Sequence, residues 1–288
     1  MDERKIGLVL GGGGGKGAYQ IGVWQALWEA GVDAKIGAVS GTSIGALNGA
    51  MFCTGDFPDA VSAWQNISEN LVLTKNRLTR GALKSYNGWF SNAGVKKLID
   101  AHVDFDALSR WGIDFYATAS KLGPSPVFYR WAQKLSKQDL ADKALSVLLI
   151  ALFRWQASAV HFRVNSYPKE VMEDILLASA AIPLVFPDVK IDGELYIDGG
   201  IVENIPVSPL YEIGYRKFII VSLDGKEKAG QFADSKIVQL DLNEPNIMKS
   251  LEGTFDFTAR DAAKRIKMGY DDCVKQMDGI IRLVYGDS

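Results

Sequence analysis

Five consecutive glycines, Gly11 to Gly15, with another at Gly17, separate a short aliphatic run from a segment of helical periodicity. Glycine has no Cβ and no strong backbone preference, so such a stretch serves as a tight connection shaped by what approaches it. Before it, Lys5 to Leu10 is short, β-compatible and aliphatic, as expected of a buried strand. After it, Ala18 to Ala30 presents Ile21, Trp24, Ala26, Leu27 and Trp28 as an apolar face, and Gly31 stands where a helix C-terminus takes glycine. The pattern then repeats. Ile36 to Ser40 is a second strand, Gly41-Thr42-Ser43 a turn, and Ile44 to about Cys53 a second helix. Strand and helix alternating through tight glycine turns predict a parallel sheet with right-handed crossovers.

Gly41-Thr42-Ser43-Ile44-Gly45 is a Gly-x-Ser-x-Gly pentapeptide in the strand–turn–helix setting of a nucleophile elbow. Side chains at Gly41 and Gly45 would crowd a strained turn. Ser43 would stand at a helix N-terminus, where the macrodipole favours developing negative charge. The alternative is an ordinary helix N-cap.

A serine nucleophile needs a base. Only two histidines occur, His102 and His161, and neither follows an acidic residue of the C-terminal third. The order Ser, acid, His is therefore missing, although a triad is defined by geometry and stays open. His102 ends an amphipathic helix, where a cation suits the dipole, and His161 lies in an apolar strand-like segment. Asp198 is the better partner: it ends a strand and is followed by Gly199 and Gly200, which leave room for close approach. The competing reading is a plain Asp-Gly turn. An ordinary carboxylate, with a pKa of ~3.9, is a weak base, so a Ser-Asp pair requires a dry site and direct hydrogen bonding.

Three readings compete for the glycine run. A dinucleotide fingerprint fits Gly12-x-Gly14-x-x-Gly17, but the acidic residue it requires at the end of the next strand is absent. A phosphate loop requires Ser or Thr after the lysine and a glycine where Leu10 stands, whereas Lys16 is followed by Gly17. The third is an oxyanion hole, with the loop's N–H groups facing a tetrahedral intermediate and Lys16 orienting the loop or facing solvent.

Together, Gly12-Gly13-Gly14-Gly15-Lys16-Gly17, Gly41-x-Ser43-x-Gly45, Ser179-Ala-Ala-Ile-Pro183-Leu-Val-Phe186-Pro and Asp198-Gly199-Gly200-Ile-Val-Glu-Asn-Ile-Pro206 resemble the patatin-like phospholipases in order and spacing. The resemblance covers roughly residues 6–56 and 175–223. It implies a three-layer α/β/α sandwich around a mostly parallel sheet. It further implies a Ser43–Asp198 dyad without histidine, oxyanion donors at Gly12, Gly13 and Gly14, and lipid acyl hydrolysis with neither metal nor cofactor. One departure is Lys16, where the family often carries arginine; the charge is kept and the planar fork lost.

Elsewhere the chain predicts helices at Val95–His102, Lys137–Ala159 and Glu170–Ala181, and a closing amphipathic helix at Phe255–Met277. Strands are expected at Ile113–Ser120, Val127–Trp131, Leu195–Ile197, Lys217–Leu223 and Lys236–Leu242. The whole chain, 1–288, reads as a single acyl-hydrolase domain with a helical insertion around 131–165. Leu140 to Trp155, apolar nearly all round, is either a core helix or a lid that contacts lipid. Lys75, Arg77, Arg80 and Lys84 are either a solvated face or a site for anionic headgroups. With a net charge of -2 there is no global basic field to attract nucleic acid. Two cysteines, Cys53 and Cys273, allow one bridge but no disulfide framework, and the few apolar residues before the glycines are expected to be too short for a signal-peptide core. A cytoplasmic protein with peripheral membrane contact is expected. Hydrolysis, acyl transfer to another alcohol, and lipid binding without turnover all fit these motifs.

Overall fold

The computed structural model describes residues 6–74, 90–110, 112–123, 153–183, 185–225, 231–242 and 253–286. The expected Val127–Trp131 strand, most of the 140–155 segment, and Lys75, Arg77, Arg80 and Lys84 lie outside the described residues.

The sheet is built from β1 (Ile6–Leu10), β2 (Ile36–Thr42), β3 (Asp114–Leu122), β4 (Ala157–Arg163), β5 (Val189–Ile191), β6 (Glu194–Asp198), β7 (Lys217–Ser222) and β8 (Lys236–Asp241). The helices are α1 (Ala18–Glu29), α2 (Ile44–Thr54), α3 (Phe57–Gln65), α4 (Glu69–Val72), α5 (Ala93–His102), α6 (Phe105–Arg110), α7 (Lys169–Ser179), α8 (Ser208–Glu212), α9 (Ala259–Lys275) and α10 (Met277–Tyr285).

Strand order is β5-β6-β3-β2-β1-β7-β8, with β4 on β3. The run β3-β2-β1-β7-β8 is parallel. This mostly parallel sheet agrees with the expectation. The inner strands β1 and β7 are aliphatic and buried, as a sheet covered on both faces requires. Alternate residues serve the two faces. Leu8 and Leu10 join the large core under α1, α2 and α9, while Val9 packs with Leu210, Phe218 and Ile220 on the α8 side.

The register around β3 positions the site. β4 occupies one edge of β3 from Tyr116 to Leu122. On the other edge, β2 ends with Thr42 opposite Thr118, and β6, antiparallel, ends with Asp198 opposite Ala119. Two strands thus meet end to end along a single neighbour. The residue after Thr42 is Ser43, so the meeting point brings Ser43 and Asp198 together.

The sequence reading did not contain α3, α4, α6 or α8, and it differs from the structure elsewhere. The predicted Lys137–Ala159 helix lies outside the described residues up to 152 and does not extend through Ala159: Arg154–Gln156 is a 3-10 turn and Ala157–Arg163 is β4, because its backbone pairs with β3. The C-terminal helix does not begin at Phe255. Thr258 caps it, accepting from the Asp261 N–H, and α9 gives way after Lys275 to a separate helix, α10. β5 was not anticipated, although its turn into β6, Asp192 (φ +49°) and Gly193 (φ +86°), is the Asp-Gly pair that joins hairpins. Both cysteines are free and buried. Among the described residues, no helix is long and apolar enough to cross a membrane.

Candidate active site

Ser43 forms the junction between β2 and α2 with φ +55° and ψ −126°, a conformation that costs energy for any residue with a Cβ. The surroundings enforce it. A Cβ on Gly45 would lie 2.2 Å from the Leu10 carbonyl oxygen, and one on Gly41 would lie 2.3 Å from the Gly45 oxygen. The flanking glycines are therefore steric requirements of the turn. The N–H of Ser43 donates to Ser179 Oγ at 2.9 Å, and that hydroxyl donates to the Thr118 carbonyl at 2.7 Å. Ser179, at the end of α7 and fully buried, thus ties the elbow to β3.

The Ser43 hydroxyl donates to Asp198 Oδ2 at 2.6 Å, and the other carboxylate oxygen accepts from the Gly200 N–H at 2.7 Å. Both side chains are nearly sealed, with Ser43 6% and Asp198 5% exposed. Burial pushes the Asp198 carboxyl from 3.8 up to about 6, against the lowering pull of the bonds from Ser43 and Gly200. The two side chains are thus buried and directly hydrogen-bonded to one another. Gly199 leaves room for the turn, since a Cβ there would meet the Thr118 oxygen at 2.2 Å.

The glycine loop lies beside the elbow. A Cβ on Gly12 would come within 3.1 Å of Ser43 Cβ. The Gly12 N–H donates to the Asn204 carbonyl at 3.1 Å, and the Asn204 side-chain amide returns a bond to the Gly12 oxygen at 3.2 Å. Asn204 thereby couples the glycine loop to the segment after Asp198. The N–H groups of Gly13 and Gly14 have no hydrogen-bond partner among the described residues. Gly14 is left-handed, at φ +57°. Lys16 is 3% exposed and donates to the Leu223 carbonyl at 2.8 Å, so it orients the loop and does not face solvent. Gly17 accepts from Asn48 Nδ2 at 3.0 Å, which ties the loop's end to α2.

The C-terminal part of the chain also reaches the loop, a link the sequence reading did not contain. Cβ atoms on Gly14 and Gly15 would lie 2.0 Å from the Thr254 oxygen and 2.1 Å from the Asp256 oxygen. Arg265 on α9, 7% exposed, donates to the carbonyls of Gly15 (3.3 Å) and Asp256 (3.2 Å) and pairs with the Asp256 carboxylate at 3.5 Å.

Neither histidine bonds to Ser43 or Asp198 among the described residues. His102 Nδ1 lies 2.9 Å from Asp59 Oδ2. His161 sits between Thr118 Oγ1 (2.9 Å), Ser208 Oγ (3.2 Å) and Glu203 Oε2 (3.3 Å). The described residues contain no cluster of His, Cys, Asp and Glu fit for a metal ion.

The sequence model of the family described as Patatin-like phospholipase matches residues 8–211. An uncharacterized NTE family protein of Mycobacterium bovis is 28% identical over 269 residues, 88% of this chain and 59% of that protein. Neuropathy target esterase sws of Drosophila melanogaster is 28% identical over 232 residues, 79% of this chain and 13% of that protein. A lysophospholipase of Cryptococcus neoformans is 27% identical over 222 residues, 76% of this chain and 11% of that protein. The chain thus spans 59% of the length of the first relative and far less of the other two.

Proposed function

This chain belongs to the patatin-like phospholipase family, and from that membership we propose that it is a serine acyl hydrolase acting on fatty-acyl esters of phospholipids or lysophospholipids. The observation that carries the proposal is the 2.6 Å bond from the Ser43 hydroxyl to a buried carboxylate. The names esterase and lysophospholipase borne by two relatives support the substrate class.

In the proposed reaction Asp198 takes the Ser43 proton as Oγ bonds to the ester carbonyl carbon. The carbonyl π electrons pass to oxygen. The N–H groups of Gly13 and Gly14 receive that oxyanion, while Gly12, its own N–H donated to Asn204, keeps the loop against Ser43. As the intermediate collapses, the bond to the leaving alkoxide breaks and Asp198 returns the proton to it. Water then attacks the acyl-enzyme, with Asp198 again as base, releasing fatty acid and restoring Ser43. A pKa of about 6 leaves Asp198 ionised at neutral pH and makes it a stronger base than an ordinary aspartate. Gly15, Lys16, Gly17, Gly41, Gly45, Gly199 and Gly200 shape the glycine loop, the elbow and the turn after Asp198, and carry no chemical step.

The test is fatty-acid release from lysophosphatidylcholine vesicles and from a monomeric p-nitrophenyl ester, with Ser43→Ala as control. Release by the wild type and none by Ser43→Ala is expected. A folded wild type that releases no acid from either sinks the proposal.

Ser179 provides a second prediction. Ser179→Ala leaves the buried Ser43 N–H without its acceptor, which costs about 1–3 kcal/mol. Thermal melting should shift downward, and kcat should fall about 10–100-fold with KM little changed. Ser179→Thr, which keeps the hydroxyl, should recover part of the kcat.

A further inference from the structure

Downstream of Ser43, one face of α2 lines an apolar pocket that is partly open to solvent. Ile44, Leu47 and Met51 form one wall of the cavity, and Trp64 and Leu98 face them from α3 and α5. The polar atoms of Asn48 on this wall are already used. Its amide donates to Gly17 O (3.0 Å) and Gln20 Oε1 (2.8 Å), and its oxygen accepts from Trp64 Nε1 at 3.0 Å. The groove therefore presents hydrocarbon and little that holds water.

Its direction follows from the chain path. α2 and α3 are joined by only Gly55 and Asp56, and Trp64 near the end of α3 bonds back to Asn48 in the middle of α2, so α3 runs back along α2. Ile44, at one end of the groove, is the residue that follows Ser43. The far end, at Met51, lies toward the first turn of α3, where Asp59 pairs with His102, itself a groove residue. From Ile44 to Met51 the helix rises about 10 Å. At about 1.3 Å per carbon–carbon bond projected along an extended chain, that accommodates about eight methylenes.

Resting on the assignment of Ser43 as nucleophile, we infer that this groove is the acyl-chain subsite. It takes an unbranched acyl tail of about eight to ten carbons, and Met51 with the His102–Asp59 pair forms its floor. An apolar groove that starts one residue after the nucleophile and ends at the hydrogen-bonded His102 and Asp59 suits a tail attached to the scissile carbonyl. Apart from Asn48, whose side-chain atoms are bonded, and His102 at the floor, the lining is hydrocarbon and the Trp64 ring, which suits a tail and not a charged headgroup.

The experiment measures kcat/KM for p-nitrophenyl esters from acetate to palmitate, each below its micelle concentration, for wild type, Leu47→Trp, Leu47→Phe and Met51→Ala. In wild type, kcat/KM should rise up to about fourfold per added methylene and level off near eight to ten carbons. Both Leu47 variants should lower the decanoate-to-acetate ratio, Leu47→Trp by at least about thirtyfold. Met51→Ala should move the plateau about two carbons longer. A wild-type profile indifferent to chain length, or unchanged ratios in folded Leu47 variants, overturns the inference.

Calorimetric binding of decanoate to Ser43→Ala probes the groove without turnover. Binding weakened tenfold or more by Leu47→Trp in the same background supports the subsite, and absent or unaffected binding overturns it. A protein that binds decanoate in this way and hydrolyses no ester refutes the hydrolase and leaves the groove standing.

Discussion

Asp198→Asn is expected to lower kcat/KM by about 10³–10⁴-fold while making the protein more stable. The amide preserves shape and can still accept from Ser43, but it cannot take the proton. The two histidines cannot substitute, because neither reaches the pair. His102→Gln and His161→Gln should therefore still turn over esters with the wild-type pH profile. That profile follows from the raised pKa: kcat/KM should fall about tenfold per unit below about pH 6, where Asp198 protonates, and level off above it. Stability runs the opposite way. Below about pH 4 the acid form holds in both folded and unfolded chains and burial adds no penalty. As pH rises through the unfolded value and then the folded one of about 6, the unfolded chain loses its proton first and stability falls. At pH 8 the asparagine variant escapes that penalty, so denaturant titration should show it more stable by about 1–3 kcal/mol. The difference should vanish near pH 3.5. Equal stabilities at pH 8 would mean that the carboxylate is not held in a dry site.

Gly15→Ala is expected to cut kcat by about 10²–10³-fold, the scale of losing an oxyanion donor, with a smaller change in KM. The new Cβ would stand 2.1 Å from the Asp256 carbonyl oxygen, a backbone atom that cannot rotate away. Either the glycine loop or residues 254–256 must move, and the N–H groups of Gly13 and Gly14 belong to the part that moves. Arg265→Met perturbs the same contact more gently, removing the donors to Gly15 and Asp256 and leaving the backbone free. A kcat loss of about tenfold is expected, with partial recovery in Arg265→Lys, whose ammonium restores charge without the fork. If Gly15→Ala lowered stability and KM while kcat held, the C-terminal segment would be packing against the loop without positioning it.

The parts of the fold and site legible in the sequence are those set by short-range geometry. Gly45 is glycine because the Leu10 oxygen lies where its Cβ would be. Constraints of that kind leave a mark in the pentapeptide itself. Asp198 was legible for a similar reason, since the turn after it admits little but glycine. What the sequence hid lies in contacts between distant segments. The segment around His161 was legible as strand-like, but Ala157 to Ala159 read as the end of a helix, and the pairing with β3 makes the whole of β4 a strand. Ser179 was visible as part of a motif, but its task of holding the Ser43 N–H depends on α7 ending against β3. Arg265 lies outside the family match, and its contact with Gly15 spans 250 residues. The boundary of α9 did carry a signal: Thr258 followed by Asp261 is a capping pair, outweighed in the sequence reading by the spacing from Phe255.

The central claim is that Asp198 activates Ser43 directly. It is tested most directly by incubating wild type, Ser43→Ala and Asp198→Asn with a fluorophosphonate and mapping the adduct by mass spectrometry. A single adduct on the Ser43 peptide of the wild type, none on Ser43→Ala and labelling slowed at least a hundredfold in Asp198→Asn is the predicted result. Wild-type labelling at another hydroxyl, such as Ser208 beside His161, or undiminished labelling of Ser43 in folded Asp198→Asn, would contradict it.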